Sequence, residues 1–396
     1  MQTKTRSVHV ATSAIGVALF CAVSAQSQVS SLPEVGGSPL NNLSLTQLDD
    51  FMAGRAEFER AFSAETGLGP IFNGTSCAAC HTEGGLGGGS GIMVTRFGRL
   101  VGGQFDPLND LGGSLLQMHA IDPSLQEVVP EEANVTTQRR STPLFGLGLI
   151  EAIPDATILR NAVVKFGGIY GRAAMVVDAA TGETRVGRFG WKAQHATLLA
   201  FAGDASVNEL GITNRLFPNP NLPNLQAAKA SYEPDVEVED VADADSGKSN
   251  IDRLADFMRF LAPPDFVPFT RAAGAGVTWF STAACSECHI PVMYTGKSEI
   301  PALDRKPVVL FSDLLLHKMG SLGDGIAQEA AGPKEIRTSP LWGLRAQSSF
   351  LHDGRAATIE QAILMHDGEA AGSREMFLKN LSRTQQLELL EFLSSI

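Results

Sequence analysis

Two cysteine pairs, each followed at once by a histidine, are the residues best suited to chemistry: Cys77-Ala78-Ala79-Cys80-His81 and Cys285-Ser286-Glu287-Cys288-His289. Cysteines three apart share one face of a helical turn, and the next residue carries an imidazole toward whatever the two thiols hold. A structural zinc site would gather two such pairs separated by roughly 15 to 20 residues, whereas 205 residues separate Cys80 from Cys285. A thioredoxin-like dithiol needs no following histidine. Attachment of a c-type haem uses every member of the motif, with two thioethers and one axial imidazole. The spacing therefore points to two c-type haems, held by Cys77, Cys80, Cys285 and Cys288, with His81 and His289 as iron ligands.

A histidine-ligated haem iron keeps one open face, and what fills it separates electron transfer from chemistry at the metal. Thr358 and Gln361 form a capping box, so a helix begins at Ile359. Ile359, Ala362 and Ile363 make its apolar stripe. The next position on that stripe is His366, expected to point inward as a second axial ligand, with a satisfied core histidine as the plainer alternative. Met365, His352, His317 and Met319 compete for the role. The first half offers His119, His195 and Met118, none placed as His366 is, so the first iron is expected to be five-coordinate or to hold water. Glu151, in the apolar stretch from Leu147 to Ile153, is either a capping or surface carboxylate or a proton-handling group above an open haem. Trp191 is either a core residue or an electron relay between the haems.

The elements that must position these residues repeat. Phe72 and Phe280 each stand five residues before the first cysteine, and Arg140-Ser141-Thr142-Pro143-Leu144-Phe145-Gly146-Leu147 is echoed by Arg337-Thr338-Ser339-Pro340-Leu341-Trp342-Gly343-Leu344. Each half closes on an amphipathic helix: about Ile251 to Leu261, striped by Leu254, Phe257, Met258 and Leu261 and stopped by Pro263-Pro264, and about Ser382 to Leu393, striped by Leu387, Leu390 and Leu393. The expected fold is mainly α, two fused cytochrome c-like domains over residues 26–264 and 265–396. The first carries an insertion of about 65 residues that includes Gly187-Arg188-Phe189-Gly190-Trp191-Lys192-Ala193. The glycine-rich run from Gly84 to Gly91 lacks a phosphate-binding lysine pattern and reads as a close backbone wrap near the cofactor.

Lys4 and Arg6, the apolar run from Val8 to Val23 and Val23-Ser24-Ala25 have the layout of a secretory signal, with cleavage expected after Ala25 and a periplasmic location. The run is short for a membrane span. The fifth cysteine, Cys21, leaves with the signal, so no thiol remains for a disulfide framework. Net charge is −12 for the whole chain, and the residues removed are basic only, which makes nucleic acid an unsuitable partner. An acidic surface would suit a small basic electron donor, although it also serves simple solubility.

With both motifs, the repeated Arg-x-x-Pro-Leu element, Leu351-His352-Asp353-Gly354-Arg355-Ala356 and Thr358-Ile359-Glu360-Gln361-Ala362-Ile363, the chain resembles the superfamily of dihaem cytochrome c peroxidases and methylamine-utilisation maturases. Within it the chain is most similar to dihaem oxidoreductases described as peroxidases or thiol oxidoreductases. Carrying that likeness are Gly69-Pro70-Ile71-Phe72-Asn73, the stretch from Leu144 to Pro154, the run from Gly187 to Ala193, Ser312-Asp313-Leu314-Leu315-Leu316-His317 and His366-Asp367-Gly368-Glu369-Ala370.

The resemblance implies that the C-terminal haem receives electrons, from a small cytochrome or cupredoxin, and that the N-terminal haem reduces peroxide or another small oxidant. Peroxidases of the superfamily commonly place a methionine where this chain has His366. The departure implies bis-histidine ligation and a lower potential. Their aromatic-Asp-Gly-Arg element is missing from the first half, so no motif transfers their relay tryptophan or their glutamate. Related peroxidases hold an interdomain calcium, which makes calcium a further candidate cofactor; Asp240, Asp243 and Asp245 point to it only weakly against a solvated charge run. The alternatives are a dihaem electron carrier with both irons six-coordinate, and a dihaem oxidase of an organic or protein substrate.

Overall fold

Helix starts follow the capping residues. In the computed structural model, which describes residues 32–221, 224 and 240–396, the first helix α1 (Leu45–Glu59) opens at Ser44, whose hydroxyl accepts the Gln47 N–H while the Gln47 side chain accepts that of Ser44. The expected signal and the acidic residues before Asp240 lie outside the described residues. There follow α2 (Cys77–Cys80), α3 (Leu147–Glu151), α4 (Asp155–Asn161), α5 (Leu198–Glu209) and α6 (Asn250–Phe260). In the second half α7 (Arg271–Thr282), α8 (Ile359–Met365), α9 (Ala371–Asn380) and α10 (Arg383–Ser395) complete the helices. Helices account for more of the described chain than strands do. No helix among the described residues is long and apolar enough to cross a membrane.

Each half packs the helix that precedes its Cys-x-x-Cys-His motif against its last helix, α1 on α6 and α7 on α10. Both crossings are made at a glycine. A Cβ on Gly54 would stand 2.3 Å from the Arg253 carbonyl oxygen, and one on Gly276 would stand 2.2 Å from that of Glu388. No other residue lets the backbones approach so closely. Aromatic rings seal each crossing, Phe58 against Phe257 at 4.6 Å in the first and Phe280 against Phe392 at 5.6 Å in the second.

The stripe expected on α6 is buried as read: Leu254, Phe257 and Met258, with Leu261 just beyond. On α10 the face is different. Leu387 is exposed, and the buried side chains are Leu389, Phe392 and Leu393. Contact with α7 through Gly276 selects the face that carries Phe392, and the leucine spacing alone does not report that choice.

Strand β1 (Met93–Val101) pairs antiparallel with β2 (Gln104–Asp106), β3 (Leu115–Leu116) and β4 (Val135–Arg140), in a register that sets Met93 opposite Arg140 and Arg96 opposite Thr137. The hairpin of β5 (Ala174–Val177) and β6 (Thr184–Gly187) lies in the insertion and hands the chain to the loop carrying Arg188, Trp191 and Lys192. Lys192 is fully buried; its Nζ contacts the carbonyls of Glu335 at 2.6 Å and Gly332 at 3.2 Å and the Asp324 carboxylate at 2.9 Å. Arg139 reaches the same carboxylate at 2.7 Å. Buried charges therefore tie insertion and β4 to the second half, and the apolar core is also shared, running from Phe145 and Phe257 to Leu314 and Trp342.

Candidate functional site

A cavity surrounds each motif. The first is lined by Cys77, Cys80 and His81, the second by Cys285, Cys288 and His289. Ser76 caps the short α2 by accepting the Ala79 N–H, which fixes the turn that presents the first pair of thiols. The glycine-rich loop then passes under His81, whose Nδ1 donates to the Gly88 carbonyl at 2.9 Å. His289 does the same to the Phe311 carbonyl at 2.9 Å. With Nδ1 so engaged, His289 keeps Nε2 free.

Burial pushes the thiols of Cys77 and Cys285 up to about 12 and that of Cys80 up to about 11. A working dithiol needs the reverse, a stabilised thiolate. Burial lowers the pKa of His81, partly opposed by its hydrogen bonds to the backbone at Gly88 and Thr142, and lowers that of His289 to about 4. Both rings are neutral near pH 7, the form that ligates iron.

His366 caps the end of α8 and lines the second cavity together with Ile359, Ala362 and Ile363. Thr358 accepts the Gln361 N–H at the start of that helix. His366 Nδ1 donates to the Ala362 carbonyl at 2.7 Å, so its Nε2 is also free. The competing side chains are disposed differently. His317 lies between two carboxylates, Nε2 at 3.0 Å from Asp313 and Nδ1 at 2.8 Å from Glu369. Burial opposes its charge, but hydrogen bonds led by the one to Asp313 outweigh that and raise it to about 12, so both nitrogens carry protons. Met319 and His352 line the cavity, and Met365 does not.

Trp191 lines both cavities, as do Arg140, Thr142 and Phe201. Its Nε1 donates to the Arg140 carbonyl at 2.7 Å. Glu151 lines neither. One carboxylate oxygen accepts the N–H of Leu198 at the start of α5, 2.7 Å away, and the other meets Arg259 at 3.0 Å. Of the two roles weighed for Glu151, this is the capping one.

The carboxylate that does line the first cavity is Glu209, at the end of α5. Asn73 donates to its Oε2 at 2.8 Å, and Asn73 is itself oriented because its Oδ1 accepts the Met118 N–H at 2.9 Å. Burial raises the pKa of Glu209, with the Asn73 bond opposing. Phe201, Ala202, Ala205, Ser206 and Glu209 form the stripe of α5 that faces the cavity. Counting from the caps shows the kinship of α5 and α8: His366 lies eight residues after Thr358, and eight residues after Thr197 comes Ala205. That alignment was available in the sequence as Trp191-Lys192-Ala193-Gln194-His195-Ala196-Thr197 against His352-Asp353-Gly354-Arg355-Ala356-Ala357-Thr358, with only alanine and threonine in common, and it leads to Ala205; Glu209 lies one turn further along the same stripe. His119 and His195 stay outside the first cavity, and Met118 lines it.

Residues 123–396 match the model of a family described as "Di-haem oxidoreductase, putative peroxidase". The chain belongs to this di-haem oxidoreductase family. It is accordingly a haem-dependent oxidoreductase, and the family implies two haems. No curated protein matches it. Among solved structures it is similar to hydrazine synthase from Kuenenia stuttgartiensis, at 15% identity and a TM-score of 0.41 over 98% of this chain and 100% of that one. A MauG-like protein associated with microbial copper homeostasis matches at 15% identity and a TM-score of 0.38, over 92% and 93% of the two chains. A variant of the diheme peroxidase BthA from Burkholderia thailandensis matches at 12% identity and a TM-score of 0.37, over 93% and 91%.

The residues of this di-haem oxidoreductase fit two haems. Each cavity brings together two thiols and a neutral imidazole, the donor set that covalent attachment and axial ligation require. Among the described residues the only cluster of three or more His, Cys, Asp or Glu donors is Cys288, Asp313 and His317, which is not the all-oxygen shell calcium takes. Asp240 accepts the Ile251 N–H and Asp243 caps a turn at Ser246, so these acids do not converge.

Proposed function

We propose that this di-haem oxidoreductase is a peroxidase-like enzyme built from two cytochrome c-like halves, with c-type haems attached at Cys77 and Cys80 and at Cys285 and Cys288. Peroxide is reduced at the first, and electrons enter through the second. The contrast between Ala205 and His366 carries this reading: at matching places on matching helices, the second cavity receives an imidazole and the first a methyl group, which leaves room over its iron.

The first haem would supply the metal centre and the electrons for cleaving an O–O bond. The chain supplies proton handling. Asn73 fixes one oxygen of Glu209 and leaves the other to accept a proton from one peroxide oxygen and return it to the other, which departs as water. His366 would hold the second iron and so keep oxidant from it. Trp191, touching both cavities, bridges them. In the same reading the chain is exported to the periplasm and reduced there by a small cytochrome or cupredoxin.

Met118 supports the rival reading, an electron carrier, because its thioether lines the first cavity and could close the iron. Spectra decide between them. Ferric holoprotein should show one high-spin and one low-spin haem, the high-spin signal disappearing on addition of hydrogen peroxide. Two low-spin signals that ignore peroxide would overturn the enzyme reading.

A further inference from the structure

Arg96 is the cavity-lining arginine whose side chain makes no hydrogen bond or ion pair among the described residues. Ile92, just before β1, and Val94 and Arg96 on it line the first cavity at alternate positions, two apolar and then one cationic. Among the described residues Arg96 makes no ion pair, and its Nε is sealed from solvent without a hydrogen-bond partner. The other arginines of the two cavities are engaged: Arg139 with Asp324, Arg140 with Glu83, Arg188 with Asp155, Arg337 with the Gly190 carbonyl and Arg374 with that of His366. A buried donor left unpaired costs free energy, and in a native fold it calls for a partner not yet accounted for. Burial lowers the guanidinium to about 10, which still leaves it charged at neutral pH.

Its position says which side of the haem it serves. Arg96 lines the same cavity as Ala205 and Glu209 of α5, the helix whose counterpart α8 delivers His366, which assigns it to the sixth-ligand side. Neither nearby acid of α5, Asp204 or Glu209, is hydrogen-bonded to it. Asp204 is turned to His195 at 3.1 Å and to Asn208 at 2.8 Å, and Glu209 is held by Asn73.

We propose that Arg96 makes the first cavity a binding site for a small inorganic anion, held between its guanidinium and the open face of the iron. The inference rests on the reading that this face is open. It goes further, because it assigns the site a charge preference: hydroperoxide or an oxyanion is favoured over a neutral ligand of the same size.

Azide and imidazole serve as anionic and neutral probes, titrated into ferric holoprotein and followed by visible spectra. Arg96→Leu should weaken azide by roughly 10- to 100-fold, the range for a lost charge-assisted hydrogen bond, and leave imidazole within about threefold. Arg96→Lys keeps the charge without the fork and should fall between wild type and Arg96→Leu; it serves alone if the leucine variant does not fold, and wild-type azide affinity in it overturns the proposal. A propionate of the first haem is the other anion Arg96 could hold. In that case azide affinity is unchanged in the variants while the reduction potential of the first haem shifts, and the proposal fails. Equal losses for azide and imidazole would also overturn it, because they mark a structural role. Wild-type protein that binds neither probe sinks the open-site reading itself, and this inference with it.

Discussion

Trp191 and His352 meet edge to face, their ring centroids 6.1 Å apart and their planes at 70°. They hold the same place in the two halves, each six residues before the threonine that caps a cavity helix. His352 is buried with Nε2 unpartnered, and burial lowers it to about 4, so the ring against the indole is neutral. The indole is fixed from the other side by its bond to the Arg140 carbonyl, and Arg140 N–H donates to the carbonyl of His352. The junction between the halves is thus a closed ring of contacts centred on Trp191.

Replacing Trp191 by Phe should therefore slow electron passage between the haems and leave each haem's own spectrum unchanged. Stopped-flow reduction resolves the two: the second haem should reduce at its normal rate and the first should lag. Simultaneous reduction, as in wild type, would remove Trp191 from the path.

The Ala205 and His366 register makes a constructive prediction. Ala205→His should carry an imidazole into the first cavity, convert the remaining high-spin haem to low-spin and abolish peroxide and azide binding. His366→Ala should do the converse at the second site, converting one low-spin signal to high-spin. If the Ala205→His spectrum matches wild type, α5 does not overlie the first iron as α8 overlies the second.

Glu209 should set the acid limit of turnover. It must be ionised to accept a proton from peroxide, and its pKa is raised above 4.5 by burial. Activity should fall as pH drops through that raised value, at a higher pH than an ordinary carboxylate would give. Glu209→Gln should lose the limb and cost roughly 10²- to 10⁴-fold in turnover. Asn73→Ala removes a hydrogen bond that favours the ionised form, so its acid limb should move further up. A limb that stays put in Asn73→Ala would assign it to another group.

What the sequence made legible was local. Thr358 and Ser382 mark helix starts because a cap is satisfied within a few residues, and the two Cys-x-x-Cys-His turns carry their meaning in adjacent residues. The buried face of α10 depended on α7, about a hundred residues earlier. Lys192 was read only as part of an insertion run, since its partners Asp324, Gly332 and Glu335 lie more than 130 residues away. Glu209 was missed for a related reason: it reaches the cavity only because α5 continues three turns past Thr197, whereas α8 stops at Met365.

Glu151 shows the complementary case, a carboxylate in an apolar stretch whose two readings only distant partners could separate. Its oxygens are taken by the first N–H of α5 and by Arg259, which also pairs with Asp256 at 2.6 Å. Glu151→Ala should therefore cost about 1 to 2 kcal/mol of stability, the range for a lost helix cap, because Arg259 retains Asp256. Denaturant unfolding of the holoprotein measures that loss. Peroxide turnover and the position of its acid limb should match wild type, since the side chain reaches neither cavity. A fall in turnover comparable to that of Glu209→Gln would return Glu151 to the chemistry and displace Glu209 from it.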